Sequence, residues 1–324
     1  MERTDDTSPI SERITRHIEK MMLSGNGAIE AQYRKPNGGT ASIFSDPDPL
    51  GEEMQFSPVK GLVHKYKNRV LWKVSYRCAA HCQFCTRARQ IGSSEGDLSG
   101  ADIQQALAYV QCHPLIDDVI LSGGDPFFTP NKTSTILTGL SKISTVRTVR
   151  IGTRLPVQSP LSFRTKPLEK VMELLHQLTQ RNAVFILIHF NHPTEITGEV
   201  LAVIRQFRNL GILVLSQTVF LRGINDRFEI LRDLFRSLYF SGVIPYYIYR
   251  CDYAKGLERY VCDLENERQI MTHLTSELSG IAVPTYVADV TGRGKIPIPL
   301  NYWTLVDETR CTDFDGRLID LNMR

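Results

Sequence analysis

The chain has 324 residues, 42% hydrophobic and 23% charged, and its 38 basic and 35 acidic side chains leave a formal charge of +3. So small a charge leaves no electrostatic footprint for nucleic acid or an anionic membrane, and no apolar run nears the ~18 residues of a transmembrane helix. The N-terminus lacks the apolar stretch of a secretory signal, and seven cysteines, odd in number with three clustered, fit a reducing cytoplasm better than a disulfide framework.

Residues 1–60 are polar and interrupted. "SPISERITRHIEKMMLS" has helical apolar spacing and a serine cap candidate, whereas "KPNGGT" and "SDPDPLGEE" read as loops. From Val70 the texture changes. Short β-branched runs recur at "VLWKVSY", "DVILS", "VRTVRIG", "VFILIHF", "ILVLSQTV", "VIPYYIY" and "VPTYVA". Between them lie helix-like stretches such as "DIQQALAYVQC", "PLEKVMELLHQLTQ", "ITGEVLAVIRQF" and "NERQIMTHLTSEL". This alternation predicts an α/β fold with a parallel sheet and right-handed crossovers, hence a barrel or part of one. The expected organisation is an N-terminal helical and loop extension over 1–60, a barrel over 61–299, and a short tail over 300–324 with a small β appendage.

Reactive, charged or glycine-rich residues follow nearly every predicted strand: "RCAAHCQFCTR", "SGGDP", "TRLP", "NHPTE", "QTVFLRGIND", "RCDYAKG" and "DVTGRGK". In a parallel barrel these loops share one face, and that face carries the active site. Cys78, Cys82 and Cys85 have the spacing C-x3-C-x2-C. A structural zinc site would need a fourth ligand, and neither His81 nor His113 belongs to a second ligand pair. Iron–sulfur cubes usually take four cysteines; a cube held by three keeps one iron open to a non-protein ligand. "LSGGDP" is a tight turn or a close backbone approach to a ligand, and glycine permits both.

At this point the chain resembles the radical S-adenosylmethionine (SAM) superfamily, whose C-x3-C-x2-C loop follows the first strand of a partial barrel. "GLVHKYKNRVLWKVSYRCAAHCQFCTRAR", "LSGGDPF", "RIGTRLPV", "HFNHPTEIT", "SQTVFLRGIND", "PYYIYRCDYAKG" and "VPTYVADVTGRGKIPI" then resemble, in order and spacing, the lysine 2,3-aminomutase family. The likeness runs from about Asp48 to Pro299 and leans towards the shorter, elongation factor P-type branch. It implies a partial (βα)6-type TIM barrel and an isomerase that converts L-lysine to β-lysine by 1,2-amino migration. It also implies three cofactors: a [4Fe-4S] cluster on Cys78, Cys82 and Cys85, SAM on the open iron, and pyridoxal 5′-phosphate (PLP).

By the same resemblance, Gly123, Gly124 and Asp125 receive the SAM amine, and His189 and Gln217 line the SAM pocket. Lys295, in the glycine-containing "TGRGK" loop, holds PLP as a Schiff base. Lys65, Tyr66 and Arg69 meet the PLP phosphate, with Lys65 where some members have arginine. Arg87 pairs with the substrate α-carboxylate, and Asp252 and Asp289 hold the ε-ammonium. His192, Asn191 and Arg222 read as scaffold. "TRARQIG" departs from the more arginine-rich run common in the family, and the tail offers no clear zinc ligand set. The implied partners are the amino-acid substrate and an electron donor such as flavodoxin or ferredoxin, with a homo-oligomer allowed. The same chemistry on arginine, or a non-catalytic iron–sulfur or zinc module, are the competing readings.

Overall fold

The computed structural model describes residues 10–25, 27–35, 44, 46, 48, 50–53, 55–93, 97–290, 293–300, 309–313 and 315–320. Two short helices come first, α1 (Arg16–Leu23) and α2 (Gly27–Tyr33). The cap of α1 is Thr15 rather than a serine: it is extended and its hydroxyl accepts from the Ile18 N–H, which satisfies one orphan donor of the first turn. Ile18, Met21, Ile29 and Tyr33 pack together and onto Ala80 of the cysteine loop, so the extension is seated on that loop.

The barrel proper begins with an antiparallel hairpin, β1 (Leu62–Tyr66) and β2 (Arg69–Ser75). β1 escaped the sequence reading because "LVHKY" lacks both a continuous apolar run and clean alternation. Six βα units follow in order: β2 with α3 (Gly100–Cys112), β3 (Asp118–Gly123) with α4 (Pro130–Leu140), and β4 (Thr148–Thr153) with α5 (Leu155–Gln158) and α6 (Lys166–Thr179). Next come β5 (Ala183–His189) with α7 (Gly198–Asn209), β6 (Leu213–Val219) with α8 (Phe228–Phe240), and β7 (Ile244–Tyr249) with α9 (Leu264–Glu277). β8 (Thr285–Val290) is the last parallel strand, and β9 (Gly294–Pro297) turns back against it. The ladder runs from β1 to β9 without closing, so the expected partial barrel is what forms. In the tail, β10 (Arg310–Thr312) and β11 (Leu318–Asp320) make a small antiparallel pair.

The helices coat the outside of the sheet. α6 buries Leu168, Val171, Met172, Leu175 and Leu178, the 3–4 spacing of one helical face. On β4, Val149 and Ile151 point into this layer and are fully buried, whereas Arg150 and Gly152 alternate to the inner face and line a cavity. A closed barrel fills its interior with side chains; this open one keeps a polar, half-exposed inner wall.

Two glycines show how the edges and the strand ends fit. Gly294 has φ +81°, and a Cβ there would fall on the Tyr66 hydroxyl with the ring Cζ 3.2 Å away. Edge strand β1 therefore reaches the opposite edge through side chains rather than a ladder. Gly124 packs against Arg77, where a Cβ would lie 2.6 Å from the Arg77 nitrogen. The Gly124 N–H donates to Ser75 O at 2.6 Å and the Asp125 N–H to Arg77 O at 2.8 Å, knitting the end of β3 to the entry of the cysteine loop. The close approach that these glycines permit is thus one of chain on chain. Gly124→Ala is expected to destabilise the fold by about 1–3 kcal/mol through overpacking against backbone, seen as a lowered melting temperature. An unchanged melting temperature would show that Arg77 can yield.

Candidate active site

A cavity of about 530 Å³ occupies the inner face at the C-terminal ends of the strands. Every residue to which the resemblance gives a cluster, cofactor or substrate role lines it. The loop after β2 contributes Cys78, Cys82, Cys85 and Arg87; the end of β3 contributes Gly123, Gly124 and Asp125. His189 and Gln217 come from β5 and β6, and Asp252, Asp289 and Lys295 from β7 to β9. Lys65, Tyr66 and Arg69 enter from the β1–β2 hairpin. Residues more than 200 positions apart thereby share one chamber because the sheet curls.

The cysteine loop is held by its own turns and by the N-terminal extension. Cys85 N–H donates to Cys82 O at 3.2 Å, His81 N–H to Arg13 O at 2.9 Å, and Gln83 N–H to Gln32 O at 2.8 Å. Burial pushes the Cys78 thiol well up and the Cys85 thiol to about 11, with the neighbouring cysteines adding to both shifts. Among the described residues, no His, Cys, Asp or Glu group is close enough to hold a single metal ion. Cys82 also accepts from Arg154 Nη1 at 2.8 Å and Gln158 Nε2 at 3.4 Å. Neither residue was read as functional, since "TRLPVQ" shows no partner nearby; the carboxylate that pairs with Arg154, Glu195, lies far along the chain.

Asp125 is buried, and its carboxylate accepts from Thr153 Oγ1 and from the N–H groups of Phe127, Arg154 and Leu155 at 2.7–3.0 Å. It bolts β3 to the end of β4. Burial nevertheless pushes its carboxyl up against those hydrogen bonds. Its oxygens are committed, so a ligand at this strand end would meet backbone groups. His189 is depressed to about 3, first by burial and then by the Arg154 charge, and Nε2 lies 2.9 Å from Asn191 Oδ1. A neutral imidazole donating there keeps Nδ1 as an acceptor. Gln217 pairs in register with His189 across β5–β6. Asn191 and His192 are scaffold as expected: the Asn191 carbonyl and amide join Asn225 and Gln32, and His192 caps a turn. Arg222 likewise holds the carbonyls of Glu258 and Arg259.

The charged wall differs from expectation in two respects. Lys295 lies on strand β9 and not in a flexible loop, because it pairs in register opposite Asp289; Nζ is 3.2 Å from Asp289 Oδ2. Lys65 Nζ approaches the other oxygen at 3.7 Å, and that buried Oδ1 has no hydrogen bond. Burial first, and then the Asp289 charge, push the Asp252 carboxyl up to about 7. Secondly, the Arg87 fork already grips a carboxylate. Its Nε and Nη2 donate to the two oxygens of Glu52 at 2.8 and 2.6 Å. Burial opposes ionisation of Glu52, but the Arg87 charge and hydrogen bonds, with the Lys73 and Arg89 charges, together outweigh it and hold the carboxyl below its usual value. Glu52, in the "DPLGEE" segment read as a loop, lines the cavity and was not anticipated.

No protein-family model matches the chain. Curated relatives do. The L-lysine 2,3-aminomutase of Methanococcus maripaludis is 38% identical over 261 residues, covering 80% of this chain and 58% of the relative. That of Clostridium subterminale is 38% identical over 257 residues, covering 79% and 60%. The chain therefore spans about three-fifths of the length of these two relatives. The L-lysine 2,3-aminomutase of Escherichia coli is 34% identical over 257 residues, covering 78% of this chain and 72% of the relative. A solved radical SAM methyltransferase from Sphaerobacter thermophilus has a similar fold, with TM-score 0.51 and 18% identity, and the match covers 72% of this chain and 69% of that one. With relatives of this identity, one of them matched over 72% of its length, the chain belongs to the lysine 2,3-aminomutase family.

Proposed function

We propose that the protein is a radical SAM, PLP-dependent aminomutase that converts L-lysine to β-lysine. The observation that carries this reading is the convergence of the cysteine triad, the Lys295–Asp289 pair and the Arg87 fork on one cavity. The residues present suit the cofactors: three thiols clustered on one loop, glycines at the end of β3, an accessible lysine amine, and cations at Lys65 and Arg69. When bound, the cluster and SAM would supply a carbon radical, and PLP would supply an imine π system that delocalises the unpaired electron while the nitrogen moves between substrate carbons.

The chain's own residues bind and orient. The Arg87 fork holds Glu52 in the bidentate geometry that a substrate α-carboxylate would use. The Lys295 ammonium marks where a cation rests against Asp289. Lys295 would hold PLP through its amine, and Asp289 with Asp252 beside it would offer a substrate ammonium two carboxylates on the same wall. Tyr249, with its ring 5.7 Å from Lys295 Nζ, walls this end against water. The "DPLGEE" and "GLVHKYKNR" segments favour the elongation factor P-type branch, and a one-electron donor of flavodoxin or ferredoxin type would reduce the cluster. No described helix is long and apolar enough to cross a membrane.

Anaerobic reconstitution with iron, sulfide, SAM and PLP, followed by incubation with lysine or arginine, tests the reading. β-Lysine is expected. β-Arginine alone would reassign the substrate, and a chain that takes up neither cluster nor PLP would end the reading.

Two further outcomes concern the carboxylate pair. Asp252→Asn or Asp289→Asn is expected to raise the KM for lysine by about 10–100-fold, the scale of a lost charged hydrogen bond; an unchanged KM would place the ammonium elsewhere. The second outcome is pH-dependent. In the ligand-free fold burial and the Asp289 charge push the Asp252 carboxyl up from its ordinary value to about 7, so stability falls as pH rises from the ordinary carboxylate range towards that point and is level above it. Bound lysine favours the ionised form. Lysine should therefore raise the melting temperature more at pH 8 than at pH 6, and Asp252→Asn should abolish the difference. Equal shifts at both pH values in the wild type would exclude Asp252 as a contact.

A further inference from the structure

Arg154, which follows β4, is 6% exposed, and its guanidinium has three partners. Nη1 donates to the Cys82 sulfur at 2.8 Å, and Nη2 donates to Gln32 Oε1 at 2.5 Å and to Glu195 Oε1 at 2.6 Å. The rings of Tyr33 and Phe84 lie 5.1 and 5.0 Å from its charged carbon. On α5, Gln158 offers Cys82 a second donor at 3.4 Å, and its carbonyl accepts from the Thr15 hydroxyl ahead of α1. Gln32, on α2, is fully buried. The N-terminal helices thus brace the two side chains that touch this sulfur. The other two cysteines differ: backbone groups of Asp125 and Arg87 serve Cys78 and Cys85.

Packing alone does not account for the arrangement. A buried ion pair is often replaceable by apolar residues without loss of stability, and Arg154 Nε is a buried donor with no hydrogen bond. What the arrangement achieves is to set a buried cation against one thiolate. We propose that Arg154, oriented by Gln32 and Glu195, is a positioning residue that raises the reduction potential of the iron–sulfur cluster through a charge-assisted hydrogen bond to the Cys82 thiolate. The inference rests on the cluster reading given above. Reduction adds one electron to the cluster, and a cationic donor on a ligand sulfur stabilises the more negative state. Hydrogen bonds to the sulfurs and solvent exclusion are both recognised determinants of such potentials. Glu195 offsets part of the charge, so the direction of the fork, with one arm on sulfur, is what counts.

The test uses the full chain reconstituted anaerobically without SAM, as wild type, Arg154→Lys, and the charge-balanced double variant Arg154→Met/Glu195→Gln. Iron and sulfide are counted, and the midpoint potential is read by EPR-monitored redox titration. The double variant is expected to load iron as the wild type does, while its reduction equilibrium moves about tenfold towards the oxidised form. For a one-electron couple that is about 59 mV lower. Arg154→Lys keeps a charge beside Glu195 and so protects the fold, but a single ammonium cannot serve three partners as a fork does; its potential should fall in the same direction by less. Wild-type potentials in both variants at full iron content would overturn the inference and leave the cluster reading standing. A wild-type chain that takes up no iron would overturn both.

Discussion

Lys295→Ala is expected to abolish lysine isomerisation, by about 10⁴-fold or more, the scale on which one member of a cooperating catalytic set acts. The fold should survive. Lys295 is a surface-reaching residue of the short edge strand β9, its partner Asp289 retains Lys65 nearby, and an alanine keeps the backbone pairing. Three readouts separate loss of chemistry from loss of structure. The melting temperature should stay near wild type, iron content should be unchanged, and borohydride reduction should no longer attach PLP covalently. In the wild type the same reduction should label the peptide that contains Lys295. A labelled peptide elsewhere, or a PLP-competent Lys295→Ala variant, would move the PLP lysine and with it the assignment of Asp289. Lys295→Arg is the sharper control, since it keeps a cation opposite Asp289 yet cannot form the imine; it should be as inactive as the alanine variant.

The sequence made the scaffold legible because the strands of a half-barrel bury their outer face under helices. Val149 and Ile151 of β4, and the periodic face of α6, are strong signals of that kind. The site was legible where chemistry dictates residue type and spacing, as in the cysteine triad, or where a strand end carries an unusual group, as at Asp252 and Asp289. Three features were hidden for physical reasons. β1 and β9 are edge strands with polar or short segments, so they lack the apolar pattern that betrays a central strand. Lys295 therefore looked like a loop residue, although a cross-strand register fixes it. The contacts of Arg87 with Glu52, and of Arg154 with Glu195, Gln32 and Cys82, join segments far apart in the chain; nothing local to "CTR" or "TRLP" announces them. Such long-range polar pairs arise only when the sheet has curled and the N-terminal helices have docked.

The cysteine triad gives the other large effect. Cys78→Ala, Cys82→Ala and Cys85→Ala, each alone, should reduce bound iron from about four per chain to less than one and take turnover to background. Each thiolate would serve a different iron, so losing one leaves a corner open to solvent beside the position already kept for SAM, and two ligands cannot hold the cube against water and thiol exchange. Of the neighbouring groups, Asp125 is fully engaged with β4 and the neutral His189 is hydrogen-bonded to Asn191, while Cys251, which also lines the cavity, is buried and its thiol is pushed well up by that burial. Cys112, exposed at the end of α3 and outside the cavity lining, provides the contrast, and Cys112→Ala should keep full iron and full activity. The comparison turns on position alone, because chain, residue type and substitution are the same. Iron loss in Cys112→Ala equal to that in the triad variants would mean that thiols in general, and not the C-x3-C-x2-C loop, govern loading. Full iron and activity in any triad variant would remove that cysteine from the ligand set and leave the cavity without the three-thiolate, one-vacancy arrangement on which the radical reading depends.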